Sequence, residues 1–203
     1  MPNPLLVVIT GPSGVGKTTV TERLKEGDQQ RQTHGFDPRF HIAVTATTRP
    51  PRPREIDSVD YYFVSSERFR EMLESGELLE HAEVYGNLYG VPKEPLRQAL
   101  AEGHTVIVRT DVQGARYIKS VYPQTVTIFL APPTWEELER RLRGRASDGE
   151  EQVTRRLQTA LDEIATASEF DHVVVNETVE DTAKRIEQII EKERLRERPL
   201  LEL

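Results

Sequence analysis

The chain has 203 residues, a formal net charge of -7 and no cysteine. That length fills one α/β core and is short for two. The acidic balance excludes an overall field for nucleic acid, so any anion site must be a local basic pocket, and the absence of thiols excludes disulfides, thiolate zinc sites and cysteine nucleophiles. The apolar runs are strand-length, far below the ~20 residues of a membrane span, and MPNPLL lacks a basic segment ahead of a signal core. The expectation is a cytoplasmic protein, monomer or homodimer, with neither nucleic acid nor membrane as partner.

A buried strand is expected at Leu5–Thr10, and its apolar run breaks at Gly11 into G-P-S-G-V-G-K-T. This is the spacing of a phosphate-binding loop: Gly11, Pro12, Ser13, Gly14, Val15 and Gly16, closed by Lys17 and Thr18. Glycines let backbone N–H groups face inward, and the N-terminus of the next helix adds positive potential. Lys17 can neutralise the outer phosphates of a nucleoside triphosphate such as ATP, and the Thr18 hydroxyl can help hold magnesium.

A helix is expected at Thr18–Lys25, followed by a polar, flexible surface connection at Glu26–Pro38 and a strand at His41–Ala46. Thr47 to Gly90 breaks the alternation of strand and helix and reads as an insert with its own small sheet. It holds TTRPPRPRE, where prolines display Arg49 and Arg52 from a stiff, extended support suited to a phosphate. A short helix follows around Glu67–Ser75, with Phe69, Met72 and Leu73 inward and Gly76 as its stop. Tyr61 and Tyr89 follow turn-like segments and can add hydroxyl donors, although a single tyrosine is more often a packing residue.

Further strands are expected at Thr105–Thr110, Thr125–Ala131 and His172–Asn176, nearly continuous in β-branched residues, as in a parallel sheet covered on both faces. Helices are expected at Lys93–Ala101, Gly114–Val121, Thr134–Arg143, Glu151–Ser168 and Val179–Glu193. Thr134 and Glu137 form a capping box, and Ile186, Ile189 and Ile190 share one face. The tail beyond Arg194 is expected to fray. Arg140 to Arg156 carries six arginines around a polar segment. Such a run is usually a solvated helix surface, but beside a phosphate loop it suits a lid.

Taken together, GPSGVGKTT, TATTRPPR with Glu55 after it, DYYFV at 60–64, GELLEHAEVYGNLYG at 76–90, TDVQGA at 110–115, IFLAPP at 128–133 and VVVN at 173–176 resemble the guanylate kinases. The resemblance runs from about Leu5 to Ile190. It implies an α/β fold, a P-loop three-layer arrangement with a central parallel five-stranded sheet, a small mixed α/β GMP-binding insert and a helical lid. The corresponding division is a core at 1–44, 92–139 and 157–194, a GMP region at about 45–91, a lid at about 140–156 and a tail at 195–203. The implied reaction is phosphorylation of GMP, and of dGMP, by ATP with magnesium.

By the same resemblance, Glu80 accepts hydrogen bonds from the guanine donors, Asp111 is a second acceptor, and the Thr45 hydroxyl stands where the family has a serine. Guanine's adjacent N1–H and N2–H₂ donors suit a carboxylate, and adenine lacks that pattern. Arg49, Arg52, Tyr61 and Tyr89 would hold the GMP phosphate. Lys17, Arg141, Arg145 and Arg156 would neutralise the transferring group, and Asn176 would lie near the adenine.

Three features depart from the family. Val91 stands where a hydroxyl would reach guanine O6, so one base hydrogen bond of about 0.5–1.5 kcal/mol is expected to be lost. Arg109 stands where an acidic residue is common, and alternation puts it on the same strand face as Asp111. It is expected to pair with a carboxylate or with phosphate. The connection at Glu26–Pro38 is longer than usual. Rival readings are a GTPase, from the D-x-x-G of Asp111 to Gly114, a non-catalytic guanylate-kinase-like binding module, and a kinase for another phosphorylated acceptor such as a ribose bisphosphate. The five histidines show no metal-ligand spacing.

Overall fold

The structure, a computed structural model, describes residues 3–33, 39–53, 55–84, 86–144, 150–197 and 203. The expected strand Leu5–Thr10 is β1, and it is buried along its whole length at the centre of a five-stranded sheet. Its neighbours are β7 (Thr105–Arg109) and β8 (Val126–Ala131), with β2 (Phe40–Ile42) and β9 (His172–Val175) outermost. Every pairing in this sheet is parallel. Alternate residues of β1 therefore serve opposite faces. Leu5, Val7 and Ile9 pack with Val20 and Leu24 of α1 (Lys17–Thr33) and with Ile186 and Ile190 of α7 (Val179–Arg194). Leu6 and Val8 pack with Leu96 and Ala99 of α3 (Lys93–Ala101) and with Ala115 and Ile118 of α4 (Val112–Val121).

A second, four-stranded sheet runs in the order β4 (Tyr61–Phe63), β3 (Thr45–Thr47), β6 (Asn87–Pro92), β5 (Leu78–Val84). It is mixed, with β3 parallel to β4 and antiparallel to β6. Helix α2 (Ser66–Glu74) covers it through Phe69 and Met72, capped by the Ser65 hydroxyl and ended at Gly76, whose φ of 68° favours glycine. Two further helices, α5 (Trp135–Arg143) and α6 (Glu150–Ala165), pack through Leu138, Leu142 and Ala160.

Four expectations need correction. The single strand His41–Ala46 is two strands in different sheets, because the chain leaves the core sheet after Ile42 and enters the small sheet at Thr45. The connection from Glu26 is helical to Thr33, with 34–38 outside the described residues. Buried Asp28 explains this: its carboxylate accepts from the Arg39 and Phe40 N–H groups at 2.9–3.1 Å, tying the helix to the next strand. Tyr61 and Tyr89 lie within strands, their rings 6.3 Å apart in an edge contact. The tail does not simply fray. Asn3 donates to the Arg196 carbonyl, and Arg97 donates to Leu203.

Candidate active site

The phosphate loop leaves β1 at the carboxyl end of the sheet, where open α/β sheets bind ligands. Gly11, Gly14 and Gly16 have φ of 134°, 82° and 101°. A Cβ at Gly11 would stand 2.3 Å from the Leu130 carbonyl oxygen, and one at Gly16 would stand 2.6 Å from Asn176 Nδ2. Only glycine allows the turn and both approaches. The Lys17 ammonium donates to the carbonyls of Gly11 and Pro12, so it is held over the mouth of the loop.

The loop lines a cavity of about 480 Å³ together with Arg141 and Asn176. Asn176 is buried; its Nδ2 donates to the Val15 carbonyl at 2.7 Å and its Oδ1 accepts from Thr182 at 2.9 Å. It acts first as a clamp on the loop, a role the sequence reading had not given it. Arg141 spans from Glu137 (2.7 Å) to the Val15 carbonyl (3.5 Å). Arg140 and Arg141 together hold the Glu137 carboxyl down at about 2. Arg140 and Arg143 are bound along the surface of α5 to Glu137 and Glu139, the solvated-face arrangement, and only Arg141 of these three faces the cavity. Arg156 lies on α6, half-buried and partnered. Arg145 falls outside the described residues.

Glu80, on β5, lines a second cavity of about 440 Å³ with Asp111, Gln113, Gly114 and Tyr117. Its carboxyl is pushed up to about 7, chiefly by burial and then by the Asp111 charge, against a hydrogen bond from Thr110. A Cβ at Gly114 would meet Thr110 Oγ1 at 2.2 Å and Glu80 Oε2 at 3.2 Å, so glycine there lets the carboxylate approach α4. Asp111 caps α4, its Oδ1 accepting from the Gly114 N–H at 2.8 Å. The D-x-x-G stretch is therefore the start of a helix with its aspartate as the cap.

A third cavity of about 380 Å³ is lined by Thr18, Arg52, Glu55, Tyr61 and Arg109 among others. Thr18 lines both this cavity and that of the phosphate loop. Arg49 is held by Glu55 (2.9 Å) and the Pro50 carbonyl (2.7 Å), is hydrogen-bonded with Tyr89, and lies over the Tyr61 ring. Thr45 sits opposite Tyr61 in register. The structure thus brings Arg49, Arg52, Tyr61 and Tyr89 together, and places Thr45 beside this group and not among the residues lining the Glu80 cavity.

Two of the noted departures also change meaning. Val91 is buried in the apolar cluster with Leu79 and Leu96. Arg109 and Asp111 do not share a strand face, because β7 ends at Arg109 and the two side chains line different cavities. Sequence reasoning missed Thr110, Gly114 and Glu163. The last, on α6, is raised by burial, while Lys17 and a Ser13 backbone hydrogen bond favour its charged form. An acidic position on an amphipathic helix gives no sign of such a contact.

The guanylate kinase family model matches residues 3–193. The chain belongs to the guanylate kinase family. It is 50% identical over 185 residues to a guanylate kinase of Thermosynechococcus vestitus, covering 91% of this chain and 92% of that one. A guanylate kinase of Clostridioides difficile is 42% identical over 191 residues, covering 94% and 88%. The crystal structure of guanylate kinase from Anaplasma phagocytophilum superposes with a TM-score of 0.76 at 33% identity, covering 97% of this chain and 89% of that one. Nearly full coverage on both sides means that the family likeness extends to both sheets and to the loop.

Proposed function

We propose that the chain carries out the reaction of its family, transfer of the ATP γ-phosphate to GMP, with the donor in the loop cavity and the acceptor between Arg52 and Glu80. In this reading the second sheet is the GMP region and 140–156 the lid. Lys17 and the loop N–H groups hold the donor phosphates, and Arg141, Arg145 and Arg156 offset charge on the transferring group. Arg49, Arg52, Tyr61 and Tyr89 take the acceptor phosphate. Glu80 and Asp111 take the guanine N–H donors, with Thr45 beside the nucleotide. The reaction belongs to purine nucleotide metabolism, in the cytoplasm.

The observation that carries the reading is the Glu80 carboxyl, buried beside Asp111 in its own cavity, away from the triphosphate loop. A buried carboxylate without donors is costly, and guanine supplies donors that adenine does not. The attacking phosphate oxygen is already anionic, so the chain's work is to align two anions, cancel their repulsion and exclude water.

Magnesium fits this site. The Thr18 hydroxyl makes no side-chain hydrogen bond to a described residue and opens on both cavities, and the described residues hold no group of three metal-ligating side chains. One hydroxyl plus substrate phosphates and water is how a small hard cation is bound. When bound it would supply neutralising charge on the donor phosphates.

A coupled ADP-release assay with ATP against GMP, dGMP, AMP, CMP, UMP and a ribose bisphosphate tests the reading. Turnover confined to GMP and dGMP is expected. Preference for AMP or for the ribose bisphosphate would overturn it.

A further inference from the structure

Arg109 ends β7 beside the central strand, with Ile9 as its register partner, one residue before the Thr110 N–H bonds back to the Ile9 carbonyl. Ile107, two residues earlier, packs on the α1 side of the sheet, and strand alternation carries Arg109 to that same side. There it lines the 380 Å³ cavity with Thr18, Glu22 and Lys25 of α1, with Tyr61 of β4 and with Arg52 of the segment between β3 and β4.

Its guanidinium is half-buried and makes no hydrogen bond or ion pair with a described residue. Of the carboxylates lining this cavity, Glu55 takes Arg49 and the Arg52 N–H, Asp60 takes the Ile56 N–H, and Glu22 makes no ion pair with Arg109. Arg49 and Arg141, by contrast, each have a carboxylate partner. A guanidinium offers five donors in a planar fork that matches phosphate. Half-buried and without a protein acceptor, it has its donors available to an anion entering the cavity.

We propose that Arg109 is an acceptor-phosphate residue. It contacts the phosphate monoester of GMP from the floor of the core sheet, opposite Arg52 and Tyr61 and on the side facing Thr18. This rests on the placement of GMP argued above and adds a cation that the core, not the small sheet, supplies. The acceptor phosphate is then gripped from both sheets, with its reactive side turned toward the donor cavity.

The test compares GMP with guanosine, which has the base but no phosphate, by calorimetry without ATP or magnesium. Arg109→Gln should weaken GMP about ten- to a hundredfold, the loss of a charge-assisted contact, and leave guanosine binding unchanged. Arg109→Lys should recover part of the loss, and it provides the same comparison should the glutamine variant fold poorly. Arg52→Gln is the control for the site itself. If Arg52→Gln weakens GMP and neither Arg109 variant does, the role of Arg109 is refuted while the site stands. If neither position matters for GMP, the acceptor site is misplaced. An Arg109→Gln variant with a raised KM for ATP and unaltered GMP affinity would assign the residue to the donor and overturn the proposal.

Discussion

Replacing Glu80 with glutamine removes a buried charge from the empty protein and a charged acceptor from guanine, so stability should rise while GMP affinity falls. The Glu80 side chain is buried and its carboxyl titrates at about 7 instead of 4.5. At about 1.4 kcal/mol per tenfold change in an equilibrium, holding that carboxyl ionised costs the fold about 3 kcal/mol. The unfolded carboxyl gives up its proton near 4.5 and the folded one near 7. Between these values only the unfolded state loses the proton. Stability from this group is therefore fully present below about 4.5, falls as pH rises, and is gone above about 7.

Glu80→Gln should then be more stable than the parent by up to about 3 kcal/mol at pH ~8 and by about 1 kcal/mol at pH ~5. In a chain of this size 1 kcal/mol moves Tm by about 2–4 °C. The Tm gap between variant and parent should accordingly widen by about 4–8 °C from the lower pH to the higher. Guanine acts in the opposite sense. Its N–H donors favour the ionised carboxylate, so binding lowers the carboxyl pKa and releases a proton near neutrality. Guanosine, with no phosphate to titrate, isolates this effect, and calorimetry in buffers of different ionisation enthalpy reads the proton. Glu80→Gln should weaken both guanosine and GMP by about 2–4 kcal/mol. A variant less stable than the parent at the higher pH, an equal gap at both, or unchanged guanosine affinity would refute the reasoning.

Lys17→Ala should lower kcat by orders of magnitude in the ADP-release assay, because it removes the ammonium that the Gly11 and Pro12 carbonyls hold at the loop. Gly114→Ala puts a Cβ 2.2 Å from Thr110 Oγ1 and 3.2 Å from Glu80 Oε2, and should cost about 1–3 kcal/mol in denaturant melts and raise the KM for GMP above that for ATP. Asn176→Ala removes the 2.7 Å donor to the Val15 carbonyl and the 2.9 Å acceptor of the Thr182 hydroxyl, leaving each only a 3.5 Å contact, with Arg141 and with the Val175 carbonyl. It should destabilise by about 1–3 kcal/mol and raise the KM for ATP, with the KM for GMP nearly unmoved. Chelation of divalent cations with EDTA should stop turnover and leave GMP binding in calorimetry intact, since the Glu80 cavity contains no part of the phosphate loop.

Local signals were enough wherever one stretch of chain makes its own structure. The strand at Leu5–Thr10, the loop after it, the helix at Lys93–Ala101 and the Thr134 cap are set by apolar runs, glycines and capping oxygens within a few residues. What escaped depends on partners far along the chain. Helix α1 continues to Thr33 although its residues after Lys25 are polar, and Asp28 is buried there only because Arg39 and Phe40 bring their N–H groups to it. The run His41–Ala46 reads as one strand because hydropathy cannot show a chain changing sheets at Ala43 and Val44. Asn176 and Thr110 were each named or passed over by type, and only the folded arrangement reveals that one clamps the loop and the other bonds to the Glu80 carboxyl.

The end of β7 ties the two halves of the site together. Three consecutive residues there face different surroundings: Arg109 lines the 380 Å³ cavity, Thr110 bonds to Glu80, and Asp111 lines the Glu80 cavity while capping α4. Glu80, Tyr61 and Tyr89 lie on strands of the small sheet, and Arg49 and Arg52 on the segment between β3 and β4. A purine monophosphate bound in these cavities would bridge the small sheet to the core at both its base and its phosphate. On the core side, the spacing of those two grips is set by a strand end hydrogen-bonded into a parallel sheet. That arrangement explains why a substitution at a single residue of the Arg109–Asp111 segment should alter one grip selectively while the neighbouring contact persists.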